Sequence, residues 1–389
     1  MKKINIFEPT FRKKEILKEI EVCLDKGWTG LGFKTLEFES RWNEYTGLPH
    51  SHFLSSNTVG LHLALKVFKD LEGWKDGDEI ITTPLTFIST NHSILYENLS
   101  PVFADVNEYL SLDPSSVEKL ITKRTKAVMF VGIGGNPGNL DLIKEICLKY
   151  DLKLILDAAH MSGTYVNGKN KVEHVGSEAD VTIFSFQAVK NLPTADSGMI
   201  CFKSPTHDRL CRKLSWLGID KDTFSRTDNE GSYKWKYDVP HIGYKYHGNS
   251  IMAAIGLVQL KYLDDDNNFR GQICQKYESE LEGLDVLDLV SMSNYCHKSS
   301  RHLFQIIIKE SESLNRDFVI DRLYEKSIFP GVHYIDNTTY PMYKQYNGTC
   351  PRAHSYSNRI ISLPLHLGLK DEDTSYVIST LKDIFDNYV

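Results

Sequence analysis

Two residues in this chain, Lys190 and Asp157, have the types and placement from which chemistry can be built. Lys190 lies in Gln187-Ala188-Val189-Lys190-Asn191-Leu192-Pro193, just beyond the apolar residues Val181, Ile183, Phe184 and Phe186. That run is too short for a helix, and its β-branched and aromatic content fits a strand buried on both faces. Pro193 stops regular structure and leaves the lysine at the exit of the sheet. Upstream, Lys153-Leu154-Ile155-Leu156 is a second apolar run, and it ends on Asp157. If the two runs are neighbouring strands of a parallel sheet, amine and carboxylate face one crevice at the strands' C-terminal edge, where α/β folds bind ligands. A lone lysine is most often solvated. Paired with this aspartate, it suits pyridoxal phosphate, whose aldehyde takes a lysine amine and whose ring nitrogen is kept protonated by a carboxylate.

The elements that must position this pair follow from periodicity. Helical patterns run over 11–26, 34–45, 61–71, 88–98, 114–121 and 140–150, and strand patterns over 79–83, 102–104 and 127–131. Alternating strands and helices predict a mostly parallel sheet. Further on, helices are expected over 251–263, 316–326 and 371–388, with a strand over 302–308. The acidic stretch Asp264 to Asn268 falls inside a long linking helix. No internal repeat or low-complexity tract interrupts the pattern.

Residues Ser55, Ser56, Asn57 and Thr58 precede the third helical pattern. They are ordinary N-cap types, and the same geometry offers free backbone N–H groups to an anion. Gly132-Ile133-Gly134-Gly135-Asn136-Pro137-Gly138 lacks the lysine and hydroxyl of a phosphate loop and does not fit GxGxxG, so it reads as a turn.

Composition narrows the function classes. The chain has 389 residues, 41% of them hydrophobic and 25% charged, enough for a large core and a smaller domain. Forty-five Lys and Arg against fifty-one Asp and Glu leave a formal charge of −6. No global basic surface exists to bind nucleic acid or an anionic membrane. The first residues lack the apolar core of a signal peptide, and no run of eighteen apolar residues follows, so a cytoplasmic location is expected. Seven cysteines without CxxC spacing fit reduced thiols better than a disulfide framework or a zinc site, and no metal site is expected.

Asp157-Ala158-Ala159-His160 and Ser185-Phe186 with Lys190-Asn191 resemble motifs of the DegT/DnrJ/EryC1/StrS family of sugar aminotransferases, which are fold-type I pyridoxal phosphate enzymes. Further stretches carry the resemblance: Trp28 to Gly32, Ser55 to Leu65, Gly77 to Thr90, Gly243 to Leu260 and Ser362 to His366. Several ordered motifs are a more specific signal than one short pattern. The resemblance implies an aspartate-aminotransferase-like α/β fold, with a seven-stranded, mostly parallel sheet in residues 1–262. Residues 263–389 would form the linking helix and a small α/β domain.

It also implies site roles. Lys190 and Asp157 are the catalytic pair and bind the cofactor. Thr58, Val59 and Asn57 lie at the phosphate turn, Ser185 meets the phosphate, Phe87 stacks on the pyridine ring, and His160 approaches the phenolic oxygen. Lys245 reaches the phosphate of the other subunit, which implies a homodimer with sites at the subunit interface. Thr29, Asn191, Arg226 and His333 are substrate-side candidates, and Lys234 and Lys236 share the polar 220–240 stretch with Arg226. The implied reaction moves an amino group from L-glutamate to a keto group of a nucleotide-linked deoxy sugar, in surface polysaccharide, lipopolysaccharide or glycoconjugate biosynthesis. Transfer to a non-nucleotide keto sugar or cyclitol, or a non-catalytic regulatory role on the same fold, are the alternatives. The chain departs from the family's pattern in three places. Gly132-Ile133 replaces a common His-Tyr pair and suggests a roomier or differently lined pocket, Ser197 replaces a glycine, and His247 replaces Arg or Asn.

Overall fold

A computed structural model of the chain describes residues 3–168, 171–220, 237–311 and 314–388. Its centre is a seven-stranded sheet in the spatial order Ser51–Leu54, Gly198–Phe202, Val181–Ser185, Lys153–Asp157, Thr125–Val131, Glu79–Thr82 and Ser100–Phe103. Gly198–Phe202 is antiparallel to both of its neighbours, and the other pairs are parallel. The mostly parallel sheet expected from the alternating pattern is therefore present, with one reversing strand that the periodicity did not reveal.

Alternation along each strand explains why the sheet is covered on both sides. Ile155 and Ile183 pack with Leu61, Leu65 and Phe68 of the helix Asn57–Glu72. Leu154, Leu156 and Phe184 join Phe38 and Trp42 of the helix Phe33–Thr46 on the opposite face. Successive side chains of a strand point to opposite faces, so a strand between two helical layers reads as a continuous apolar run. Gly60 marks how closely the first layer sits, since a Cβ there would come within 2.7 Å of the Ile183 side chain.

Register places the two chemical residues. Ile155 lies opposite Val181 and Asp157 opposite Ile183, so both strands end at the same edge of the sheet. The chain leaving Val181–Ser185 then turns back into Gly198–Phe202, with Lys190 in the connection.

The long helix Leu263–Leu281 leads to an antiparallel sheet of Leu287–Leu289, Phe304–Ile308 and Ile360–Leu363. Tyr277, Phe304, Ile306, Leu323 and Leu381 form its core. Another cluster joins Leu85, Phe103 and Val131 of the large sheet's edge to Leu303, Tyr343 and Ile360. A three-stranded sheet of Cys296–Lys298, Tyr165–Asn167 and Val172–His174 also escaped the sequence reading, because each strand is only three residues long. All seven cysteines are free, and among the described residues no helix is long and apolar enough to cross a membrane.

Candidate active site

Asp157 ends its strand with only 4% of its surface exposed. Its Oδ2 accepts the Thr90 hydroxyl at 2.8 Å, and its Oδ1 accepts the Ala159 backbone N–H at 3.2 Å and the Asn57 amide at 3.3 Å. Burial raises the affinity of the carboxyl for its proton, and these donors together with the Lys190 charge oppose that rise. A buried carboxylate needs such partners, and this one still has lone-pair capacity for another donor.

Lys190 is half-buried in the connection after Ser185. Hydrogen bonds from Phe186 N to Ser197 O at 2.8 Å and from Thr194 N to Phe186 O at 2.8 Å close the base of this loop. Within it, Lys190 N bonds Gln187 O at 2.8 Å. Burial lowers the amine's pKa to about 8, although the Asp157 charge pulls the other way. Ser197 is not among the residues with positive φ, so the glycine it replaces is not required for this turn. Its hydroxyl pairs with that of Thr194 at 2.6 Å.

Amine and carboxylate border one cavity of about 420 Å³, whose walls include Thr58, Phe87, His160, Ser185 and His333. Asn57 and Thr58 open the helix Asn57–Glu72, which starts earlier than its apolar pattern because Ser56 caps it. The Ser56 hydroxyl accepts the Val59 N–H at 3.3 Å, and the Val59 side chain packs toward the cluster of Leu61 and Ile183. Val59 therefore does not line the cavity, whereas Ser56, Asn57 and Thr58 do. Gly198 permits this arrangement, since a Cβ there would lie 2.7 Å from the Asn57 backbone nitrogen. Phe87 stands 60% exposed at the rim, with its ring 6.1 Å from that of Tyr334.

Three histidines complete the wall. The Gly134 N–H donates to His160 Nδ1 at 3.2 Å, and His160 Nε2 lies 3.0 Å from the Tyr334 hydroxyl. Burial and the Lys190 charge keep this ring neutral, so its one proton sits on Nε2 and is given to Tyr334. His333 Nδ1 meets Ser362 Oγ at 2.9 Å. His302 lies between Phe7 and His160, with ring centroids 5.5 Å and 4.2 Å away.

The room expected beside Gly132 is filled. Met161 is fully buried there, and a Cβ on Gly132 would come within 2.0 Å of its sulfur. The glycine and the methionine form one packing unit, so the departure at Gly132-Ile133 exchanges one filler for another rather than enlarging the pocket.

Several expected residues lie elsewhere. Thr29 is exposed and does not border the cavity; its carbonyl accepts the Ser250 N–H at 3.0 Å. Lys245 Nζ sits 3.2 Å from the centre of the Trp216 ring, outside the cavity lining of its own chain. Asn191 is 4% exposed, and its amide is engaged by Asn267, Ser300 and His302 rather than open to the cavity. Arg226, Lys234 and Lys236 lie outside the described residues. The sequence reading missed Thr90, His302 and Phe7 as site residues, whereas Ser56 and Tyr334 fall in stretches it had already placed near the site. Ser56 also carried a local signal, as an N-cap type ahead of a helix.

Comparison with known proteins shows the family and the fold. Residues 11–382 match the family model described as the DegT/DnrJ/EryC1/StrS aminotransferase family. The spore coat polysaccharide biosynthesis protein SpsC of Bacillus subtilis is 34% identical over 381 residues, covering 95% of this chain and 94% of that protein. Helicobacter pylori PseC, an aminotransferase involved in the biosynthesis of pseudoaminic acid, superposes with a TM-score of 0.90 at 26% identity over 100% of both chains. The PLP form of Spr1654 from Streptococcus pneumoniae, described as a sugar aminotransferase, gives 0.89 at 28% identity over 100% of both chains.

Proposed function

The chain belongs to the DegT/DnrJ/EryC1/StrS aminotransferase family and is a pyridoxal phosphate-dependent aminotransferase, and from that premise we propose that it moves the amino group of L-glutamate onto the keto group of a nucleotide-linked deoxy sugar. The observation that carries this reading is the meeting of Lys190 and Asp157 at one cavity. The donor set fits the cofactor: an amine with a weakened hold on its proton, a buried carboxylate with spare lone pairs, hydroxyls beside a helix N-terminus, and an exposed ring.

When bound, the cofactor supplies an aldehyde for amines and a conjugated ring that takes up the electrons released at the substrate carbon. Lys190 Nζ would hold the cofactor through its aldehyde and would carry a proton to and from the reacting carbon as general acid and base. Asp157 holds the proton of the ring nitrogen, with Asn57 and Thr90 fixing its two oxygens. Thr58 and Ser185 receive the phosphate, supported by the backbone N–H groups of Asn57 and Thr58 at the start of the helix. Phe87 offers a ring face for offset stacking. His160 acts at the phenolic oxygen through Tyr334, whose own hydroxyl proton remains available. His333 borders the acceptor. Lys245, which lies outside the lining of its own cavity, serves the site of a second copy in a homodimer.

Similarity to SpsC and PseC supports an amino-sugar product destined for a surface polysaccharide or glycoconjugate. The test is the absorbance of the pyridoxal phosphate-loaded protein before and after L-glutamate, followed by addition of nucleotide-linked and free keto sugars, with Lys190→Ala as control. Glutamate should bleach the cofactor band, and a nucleotide-linked keto sugar should restore it. Restoration by free keto sugars alone, or no response to glutamate, would reject the proposal.

A further inference from the structure

His302 was not singled out by its sequence context, yet its surroundings fix one chemical form. Asn191 Nδ2 donates to Asn267 Oδ1 and to Ser300 O, each at 2.6 Å. Asn267 in turn donates through Nδ2 to Ser162 O at 2.9 Å, which settles the orientation of its own amide. With both N–H groups of Asn191 engaged, its Oδ1 can only accept, and it lies 2.7 Å from His302 Nδ1. His302 Nδ1 therefore carries a proton.

The ring carries only that one. His302 is 1% exposed, and burial together with His160, Lys190, Arg270 and His333 around it opposes a second proton. Phe7 stacks on the ring at an interplanar angle of 13°, and His160 packs against it, so the ring cannot turn over freely. Nε2 is thus left with a bare lone pair and no partner among the described residues, on a side chain that lines the same cavity as Lys190. Tyr334, also at the cavity, presents the complementary feature of a hydroxyl proton.

We propose that His302 is a substrate-binding residue that acts as a fixed hydrogen-bond acceptor, selecting an acceptor sugar with a ring hydroxyl at that point, and that Asn191 is the positioning residue that holds its tautomer. A keto or phosphate oxygen placed there would face a lone pair and be rejected. The assignment rests on the sugar-acceptor reading above. It gives Asn191, the neighbour of Lys190, a role through the imidazole instead of a direct contact with substrate.

The test uses the pyridoxal phosphate-loaded enzyme and, as probe, a UDP-linked 4-keto-6-deoxy-N-acetylhexosamine. His302→Phe keeps an aromatic ring against Phe7 but removes the acceptor. It should raise KM for the keto sugar about tenfold, a larger change than it makes in the glutamate half-reaction. His302→Gln retains an oxygen acceptor and should stay within about threefold of wild type. Asn191→Asp places a carboxylate on Nδ1, stabilises the doubly protonated ring, and should make keto-sugar binding weaken as pH falls, because protonated Nε2 no longer accepts. Nitrogen-15 spectra of labelled histidine in the loaded enzyme should find His302 protonated at Nδ1 alone. A wild-type KM in His302→Phe, or a proton on Nε2, would overturn the assignment. If wild type reacts with glutamate but aminates no nucleotide-linked sugar, the sugar-acceptor reading fails instead, and the nitrogen spectra alone decide whether His302 presents an acceptor.

Discussion

Thr90 donates its hydroxyl proton to Asp157 Oδ2 over 2.8 Å, and the Thr86 hydroxyl backs Thr90 at 3.0 Å. All three side chains are buried, so a donor lost at Thr90 leaves the carboxylate short of a partner. Thr90→Val should cost roughly 1–3 kcal/mol of stability in urea unfolding, whereas Thr90→Ser should cost under about 1 kcal/mol. The valine variant should also raise the Asp157 pKa further, since a donor to its charged form is gone. Equal losses in the two variants would mean that shape, not the hydrogen bond, matters at this position.

In its proposed role the amine of Lys190 would take the cofactor aldehyde only when neutral, and burial lowers its pKa to about 8. Cofactor uptake by the cofactor-free protein should therefore accelerate as pH rises through about 8, rather than through the ordinary lysine value of 10.5. Asp157 raises the lysine's pKa through its charge. Asp157→Asn should accordingly move the inflection to lower pH. Stopped-flow absorbance across pH 6 to about 11 covers both the lowered and the ordinary lysine ranges. An inflection above 10 would contradict the burial of the amine.

Gly132 and Met161 share one volume. Gly132→Ala should destabilise the protein by about 1–3 kcal/mol through overpacking, and adding Met161→Ala should recover part of that loss. Thermal or urea unfolding of the two single variants and the double variant measures the coupling. Strict additivity would show that the two side chains do not compete for space.

Glu39 lies buried behind the strand Ser51–Leu54, bonded to Phe53 N at 2.8 Å, His52 Nδ1 at 2.9 Å and Arg212 at 2.8 Å. Burial alone would raise its pKa, but the Arg212 charge and the His52 contact outweigh it and bring the value from 4.5 down to about 2. A lowered folded-state pKa contributes stability that is complete above the unfolded value and is lost as pH falls toward about 2. Glu39→Gln should lower stability at pH 7 by roughly 2–3 kcal/mol, with Asp208 still pairing Arg212, and should flatten the acid limb. Guanidinium unfolding of both proteins at pH 7 and about pH 3 checks the difference. Parallel acid limbs would remove Glu39 as their source.

Much of the fold was legible because its signals are local. Buried strands such as Val181–Ser185 are short runs dominated by β-branched and aromatic residues, and helices such as Asp371–Tyr388 carry their own periodicity. The three-residue strands Tyr165–Asn167 and Val172–His174 were not legible, because their pairing depends on Cys296–Lys298, far away in the chain.

By itself the sequence brought Asp157 and Lys190 together, since an aspartate that ends one apolar run and a lysine that follows another must share an edge once those runs become adjacent parallel strands. It also carried the family motifs. Only tertiary structure decided the protonation pattern around the pair: Thr90 on Asp157, Gly134 on His160 and Asn191 on His302. Residues 90 and 157, or 191 and 302, share no sequence period, and a hydrogen bond depends on approach within about 3 Å, a distance that only packing sets.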